Sequence, residues 1–219
     1  MSVPLSRRLV AEGLGTAMLL TTVIGSGIMG ARLANGTIGL ALLANAIATG
    51  AMLVVLILIF APLSGAHFNP IVSLAEAFRR NLRWSDLAPL VFAQLAGAIA
   101  GVWIAHMMFG VSVFEVSNTI RTGPSQWFSE TVATFGLLLT IFGCIANAPK
   151  AVPYAVGLYI TAAYWFTAST SFANPAVTVA RAFSDTFAGI APQNVGAFVA
   201  AQILGTIAAI GLRRWLWPL

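Results

Sequence analysis

The sequence predicts an all-α membrane protein with six transmembrane helices and two re-entrant half-helices in an inverted repeat. Three observations predict this fold: an apolar composition, an internal repeat, and two Asn-Pro dipeptides in apolar surroundings. The 219 residues are 59% hydrophobic and 8% charged, with a mean hydropathy of +0.91. A soluble core of this size cannot bury that much apolar surface, so a lipid bilayer must cover the remainder.

Six windows of roughly 20 residues carry few or no charges, and each is long enough to cross a bilayer. They lie at about 9–30, 38–61, 87–109, 127–148, 152–170 and 194–212. The first is too long for a signal-peptide core and contains Glu12. We therefore expect an uncleaved first span and a mature protein that begins near Met1.

The net charge of +5 is explained by membrane topology rather than by nucleic-acid binding, because the basic residues lie mainly between spans. If the spans alternate, eight basic residues fall on one side and three on the other, which predicts that both termini are cytoplasmic. Cys144 is the single cysteine, so neither an intrachain disulfide nor a cysteine metal site is expected. The eight are Arg7, Arg8, Arg79, Arg80, Arg83, Lys150, Arg213 and Arg214; the three are Arg32, Arg121 and Arg181.

Each half of the chain contains, in the same order, a Glu, an Asn-Pro dipeptide and a Gln. The segment AEGLGTAMLL matches SETVATFGLLL, AHFNPIVSLAEAF matches SFANPAVTVARAF, and VFAQLAGAIAGVW matches VAAQILGTIAAIG. Three spans per repeat is an odd number, so the second copy enters the membrane from the opposite side. We place the repeats at 1–118 and 119–219 of a single domain, 1–219.

The segments around Asn69-Pro70 and Asn174-Pro175 are too apolar for exposed loops, so each must dip into the membrane. Asn is a preferred N-cap and Pro is well tolerated at the first helical position, so a helix should begin at each dipeptide. A helix from Asn69 to about Arg80 is roughly 18 Å long, about half of a hydrocarbon core. Irregular backbone at that depth must line a watery cavity, which predicts a pore.

Two half-helices that begin at the membrane midplane place their positive ends face to face, where they repel cations. The Asn amides can hold a passing water or hydroxyl group so that it does not relay a proton. The predicted midplane residues are Asn69, Pro70, Ile71, Asn174, Pro175 and Ala176.

The segments HFNPIVSLAEAF and SFANPAVTVARAF resemble the two Asn-Pro-Ala boxes of the major intrinsic proteins, the aquaporin family. The resemblance covers nearly the whole chain; Ile71 stands where the family usually has Ala and should alter packing more than polarity. The resemblance implies a homotetramer with one pore per subunit, for which the Gly- and Ala-rich third and sixth spans permit close helix contacts. It implies no cofactor, no metal and no enzymatic reaction.

Glu12 and Glu130 are ionisable groups inside spans, which are costly and need partners. The resemblance implies that they accept hydrogen bonds from backbone donors of the re-entrant loops; a proton relay is the alternative. It also implies that His67 borders the inner half of the pore. His106 has no carboxylate or cysteine companion in sequence, so we expect it at the membrane interface.

Glu76 and Arg80 are spaced i, i+4 on the first half-helix, and we expect them to pair near the cytoplasmic mouth.

The family's narrowest ring lies toward the outer mouth and combines one residue from the second span, one from the fifth and two from the second re-entrant loop. The resemblance assigns these positions to Thr49, Tyr164, Ser171 and Val177, with Tyr164 fixed to within one residue. Most members have Arg at the position of Val177. Arg181 lies one helical turn further out, about 5.4 Å away, and whether it substitutes for that Arg stays open.

Thr49 and Val177 are small, so the ring should be wide enough for solutes larger than water. The segment YWFTASTSFANPAVTVAR is similar to a bacterial branch associated with arsenic resistance. That similarity implies a bacterial inner-membrane channel for arsenous acid, As(OH)3, with methylated arsenicals, glycerol and water as further candidates. The Trp, Gly and Arg typical of aquaglyceroporin filters are not reproduced.

A passive channel is the favoured function, and its partners are the lipid bilayer and small neutral solutes. A water-selective aquaporin is one alternative. A coupled transporter is another, but it would need an intramembrane charge pair near its substrate. A junctional role lacks docking surface because the loops and tails are short, and no paired carboxylates, metal cluster or activated nucleophile supports an enzyme.

Overall fold

The computed structural model of the chain describes residues 3–217, and every regular element in that range is a helix. The order long, long, short, long in α1–α4 returns in α5–α8, with α6 shorter than its counterpart. The elements are α1 Leu5–Leu33, α2 Ile38–Ser64, α3 Pro70–Phe78, α4 Trp84–Phe109, α5 Pro124–Asn147, a 3-10 turn Pro149–Ala151, α6 Val152–Phe166, α7 Pro175–Arg181 and α8 Pro192–Leu216.

Five of the described helices, α1, α2, α4, α5 and α8, are long and apolar enough to cross a membrane. The helix α6 has 15 residues and is about 22 Å long, shorter than a hydrocarbon core of roughly 30 Å. Our predicted fifth span, 152–170, is therefore too long, because the backbone becomes extended at Thr167 with φ −112° and ψ 136°. The 3-10 turn directly precedes α6, and together they take the place of the fifth span.

The surface and the interior have the polarity expected of a protein whose solvent is lipid. Leu33, Ile38 and Phe92 are 72–74% exposed. Glu12 and Glu130, by contrast, are fully buried. Apolar side chains outside and hydrogen-bonded polar groups inside are what a bilayer requires.

The first half-helix ends slightly before the predicted position, and the ion pair predicted on it is wrong. The helix α3 ends at Phe78, and Arg80 has a left-handed backbone with φ +63°, so Arg80 does not continue the register in which residues four apart are neighbours. Glu76 instead accepts hydrogen bonds from Arg79 Nη1 at 2.5 Å and from Asn81 Nδ2 at 2.8 Å. The predicted pair of Glu76 with Arg80 is thus replaced by one with Arg79.

Glycines allow close contact between α1 and α4 in the first half of the chain and between α5 and α8 in the second. A methyl group at Gly97 of α4 would overlap the carbonyl oxygen of Gly13 on α1, and one at Gly205 of α8 would overlap that of Thr131 on α5. These small residues lie in spans that we expected to permit contacts between subunits. At these two positions the close packing is instead within the chain.

Replacing Gly97 with Ala is expected to destabilise the fold by about 1–3 kcal/mol, because the new methyl group forces α1 and α4 apart. Gly211→Ala is the matched control, since a Cβ at Gly211 in α8 meets nothing within 4 Å. Thermal unfolding of both purified variants in one detergent compares them. Equal melting temperatures for the two variants would contradict the packing described above.

Candidate pore and selectivity site

Each half-helix begins at an Asn whose side chain caps it. Asn69 has an extended backbone, with φ −155° and ψ 119°, and its Oδ1 accepts from the Ile71 N–H at 3.0 Å. Asn174 adopts nearly the same conformation, and its Oδ1 accepts from the Ala176 N–H at 2.9 Å. The Pro that follows each Asn starts the helix because its missing N–H needs no acceptor there.

The two caps are joined across the centre of the molecule. The Asn69 amide donates to the Ala173 carbonyl at 2.8 Å, and the Asn174 amide donates to the Phe68 carbonyl at 2.8 Å. An amide nitrogen carries two N–H groups, so each Asn keeps one donor beyond this bond. Both side chains line a central cavity, so these donors lie beside the path of a solute.

The other four predicted midplane residues differ from the two Asn residues in their relation to the cavity. Pro70, Ile71, Pro175 and Ala176 are not among the residues that line the cavity within the described chain. Ile71 is 2% exposed and belongs to the apolar core. Its side chain therefore contributes to packing behind the pore wall.

The loops that lead into the half-helices contain residues with left-handed backbone. In the first loop these are Ala66 and Phe68, with φ of 52° and 49°; in the second they include Ser171 and Ala173, with φ of 50° and 47°. Such conformations are unfavourable for residues with a Cβ, at a cost of order 1 kcal/mol or more each. They persist only where other contacts hold the loop.

Glu12 provides those contacts for the first loop. Its carboxylate accepts from the backbone N–H groups of His67 at 2.9 Å and Phe68 at 2.7 Å. The Ser64 hydroxyl and the Gln94 amide also donate to it, at 2.6 Å and 2.7 Å. A carboxylate that accepts four hydrogen bonds is satisfied without leaving the interior.

Glu130 holds the second loop in the same way. Its two oxygens accept from the N–H groups of Phe172 at 2.8 Å and Ala173 at 2.9 Å, and the Gln202 amide donates to it at 2.7 Å. The same Gln202 amide donates to the Thr178 hydroxyl of α7 at 2.9 Å. Each repeat thus links span, loop and half-helix through one Glu and one Gln.

The four residues predicted for the outer ring all line the central cavity, which has a volume of about 280 Å³. The Thr49 and Tyr164 hydroxyl oxygens are 3.3 Å apart. Within residues 3–217 the Ser171 hydroxyl has no hydrogen-bond partner. Val177 supplies an apolar side chain that is 6% exposed.

The cavity lining combines polar groups with a larger set of aliphatic side chains. His67 is one of the polar residues, with Nδ1 3.0 Å from the Ser73 hydroxyl. An apolar wall binds a small polar solute weakly, so the polar groups orient the solute. The wall includes Leu19, Val23, Leu53, Ile57, Leu137, Ile141, Ile145, Val152, Val156 and Ile160.

Arg181 also lines the cavity, and our sequence-based ring did not include it. The available signal was its spacing: residues four apart on a helix share a face, so Arg181 projects from the same side of α7 as Val177. Phe172, next to Ser171, lines the cavity too and packs against Arg181.

His106, which we expected at the membrane interface without a carboxylate companion, does have one in Glu115. His106 is fully buried, with Nε2 2.9 Å from the Ser184 hydroxyl and 3.5 Å from a Glu115 carboxylate oxygen. Glu115 also accepts from the Asp185 N–H at 2.8 Å. Hydrogen bonds from the backbone and side chain of Asn118 hold the pKa of Asp185 below its ordinary value. These contacts join segments 110–123 and 182–191. The predicted topology places both segments on the side opposite the termini, so we call them the outer end.

A model of the family described as major intrinsic protein matches residues 1–171. The chain belongs to the major intrinsic protein family. Aquaglyceroporin AqpS of Rhizobium meliloti (strain 1021) is 57% identical over 212 residues, covering 97% of this chain and 91% of that protein. Aquaporin AqpM of Methanothermobacter marburgensis is 30% identical over 171 residues, covering 68% of this chain and 70% of that protein. The predicted family is therefore confirmed.

Among solved structures, the aquaglyceroporin from Plasmodium falciparum has the same fold, with a TM-score of 0.74 over 97% of this chain and 95% of that one. The sequence identity is 21%, so this comparison establishes the fold alone. The predicted all-α membrane architecture of the major intrinsic proteins is confirmed, and the protein is a multi-pass membrane protein.

Proposed function

We propose that the protein is a passive channel for small uncharged solutes, with arsenous acid as its main solute and methylated arsenicals, glycerol and water as further solutes. The observation that carries this proposal is the pair of Asn caps, joined through each other's loops, beside a cavity with an aliphatic wall. Free amide donors of Asn69 and Asn174 can bind a hydroxyl oxygen without retaining it, as a channel requires.

The size of the solute follows from the outer ring. Thr49 and Val177 are smaller than the aromatic and Arg residues of water-selective members, which favours solutes larger than water. Arsenous acid is uncharged at neutral pH and similar to glycerol in shape. The 57% identity to a protein named aquaglyceroporin supports solutes of that size.

Glu12 and Glu130 support the loops in this proposal and do not relay protons. Their oxygens are occupied by loop and Gln donors, and neither residue is among those lining the cavity in the described chain.

The protein is proposed to act as a homotetramer in a bacterial inner membrane, with both termini in the cytoplasm. The excess of basic residues between spans on one side supports this orientation. Native mass spectrometry in mild detergent should give the tetramer as the main species. A conducting monomer would contradict the assembly.

Stopped-flow light scattering on proteoliposomes tests the function. Water, glycerol and arsenous acid gradients are applied in turn to vesicles with and without protein. We expect protein-dependent flux of all three solutes. Flux of water alone would favour a water-selective aquaporin, and flux of none would contradict the proposal.

A further inference from the structure

Arg181 places a cation at the outer part of the cavity, although position 177 is an apolar Val. It is the last residue of α7 and is only 2% exposed, yet it lines the same cavity as Val177 and Tyr164. A guanidinium is protonated throughout the physiological pH range, so its charge persists beside the solute path.

Two contacts hold the Arg181 guanidinium group: a hydrogen bond along its edge and an aromatic ring on its planar face. Arg181 Nε donates to the Ala188 carbonyl, and the guanidinium carbon lies 3.5 Å from the centroid of the Phe172 ring. No hydrogen bond from the two terminal nitrogens is found within residues 3–217, and the side chain borders the cavity although it is almost fully buried. The terminal N–H groups are therefore the donors that Arg181 can offer to a solute in the cavity.

No acidic group forms an ion pair with Arg181 in the described part of the chain. A second cation lies nearby instead: the Arg121 guanidinium is 5.2 Å from the same Phe172 ring, and its Nε donates to the Gly189 carbonyl at 2.8 Å. Two guanidinium groups around one ring make the outer end of the cavity electropositive.

We propose that Arg181 is the specificity-determining residue that excludes cations at the outer end of this channel. It acts from one helical turn beyond Val177, so the ring at Val177 stays wide while the positive charge is kept. In this channel, one residue therefore sets the width of the outer ring and another supplies its positive charge. This inference rests on the proposed function, and it adds an electrostatic barrier to the one at the Asn caps.

Urea and guanidinium test the proposal, because they have nearly the same size and shape and differ in charge. Proteoliposomes with an inside-negative potential are given each solute, and the ratio of guanidinium to urea permeability is measured. Wild type should pass urea and exclude guanidinium. Arg181→Gln should raise the ratio by about tenfold or more, because the barrier of a fixed charge in a low-dielectric site is removed.

Arg32→Gln is the matched control. Arg32 also donates to a backbone carbonyl, that of Phe109 at 2.9 Å, and packs over an aromatic ring, but it is exposed and is not among the cavity-lining residues. The ratio of guanidinium to urea permeability of the Arg32→Gln variant should stay at the wild-type value. If the Gln variant does not reconstitute, Arg181→Met replaces it, because Met keeps an apolar stem over Phe172.

Arg181→Lys separates charge from packing, because Lys keeps the cation and loses the planar stack on Phe172. It should exclude guanidinium as wild type does. A leak through the Lys variant equal to that of the Gln variant would overturn the proposal, and so would a neutral variant that still excludes guanidinium. A wild-type protein that passes neither urea nor glycerol would instead contradict the proposed function.

Discussion

Replacing Val177 with Arg is expected to lower glycerol and arsenous acid flux by about tenfold or more, while water flux falls by less than about threefold. The longer side chain narrows a ring whose other members are Thr49, Tyr164 and Ser171. Water still fits and can use the added donors. Flux of each solute, normalised to protein in the vesicles, measures the effect.

Val177→Met is the control that separates bulk from charge, since Met has similar length and no N–H donors. The Met variant should reduce glycerol flux only because it narrows the ring. Water that passes it should make fewer hydrogen bonds than water that passes the Arg variant. Equal losses of all solutes in the Arg variant would indicate blockage. Unchanged glycerol flux would mean that position 177 does not line the constriction.

Replacing Glu130 with Gln is expected to destabilise the protein by about 1–3 kcal/mol and to disturb folding more than selectivity. The two carboxylate oxygens accept from Phe172 and Ala173 separately, whereas an amide has only one oxygen. One backbone N–H of the buried loop would therefore face the amide nitrogen. Thermal unfolding and the yield of folded protein measure the loss.

Asp185→Asn is the matched control, because Asp185 also accepts from a backbone N–H, at 2.8 Å, but lies on the exposed outer end. Water can replace the lost acceptor there, so its melting temperature should change less than that of Glu130→Gln. A Glu130→Gln protein that folds normally but gains or loses a pH-dependent flux would indicate a proton relay instead.

The fold could be predicted because its main constraints are local or repeated. The dipeptides at Asn69 and Asn174 carry both the cap and the first helical residue, so the helix starts follow from the sequence. Helix ends were less accessible: the left-handed turn at Arg80 and the extended backbone at Thr167 depend on how the chain enters the next segment. That is why α3 and α6 are shorter than predicted.

Part of the site depends on contacts between distant segments, which spacing alone does not reveal. His106 is buried and has its hydrogen-bond partner in Ser184, 78 residues later. The direction of the Arg181 side chain depends on Ala188 and Phe172, so the sequence could place its Cα one turn beyond Val177 but not its guanidinium. The pore wall likewise required the positions of all the helices.

The central claim is that the protein conducts neutral solutes passively, and the dependence of flux on the driving force tests it most directly. Initial arsenous acid flux into proteoliposomes is measured over a range of solute gradients, with and without a proton gradient, and again after a protonophore is added. A passive pore predicts flux proportional to the solute gradient and unchanged by the protonophore. Flux that saturates, or that stops when the proton gradient is dissipated, would contradict it and indicate a coupled transporter.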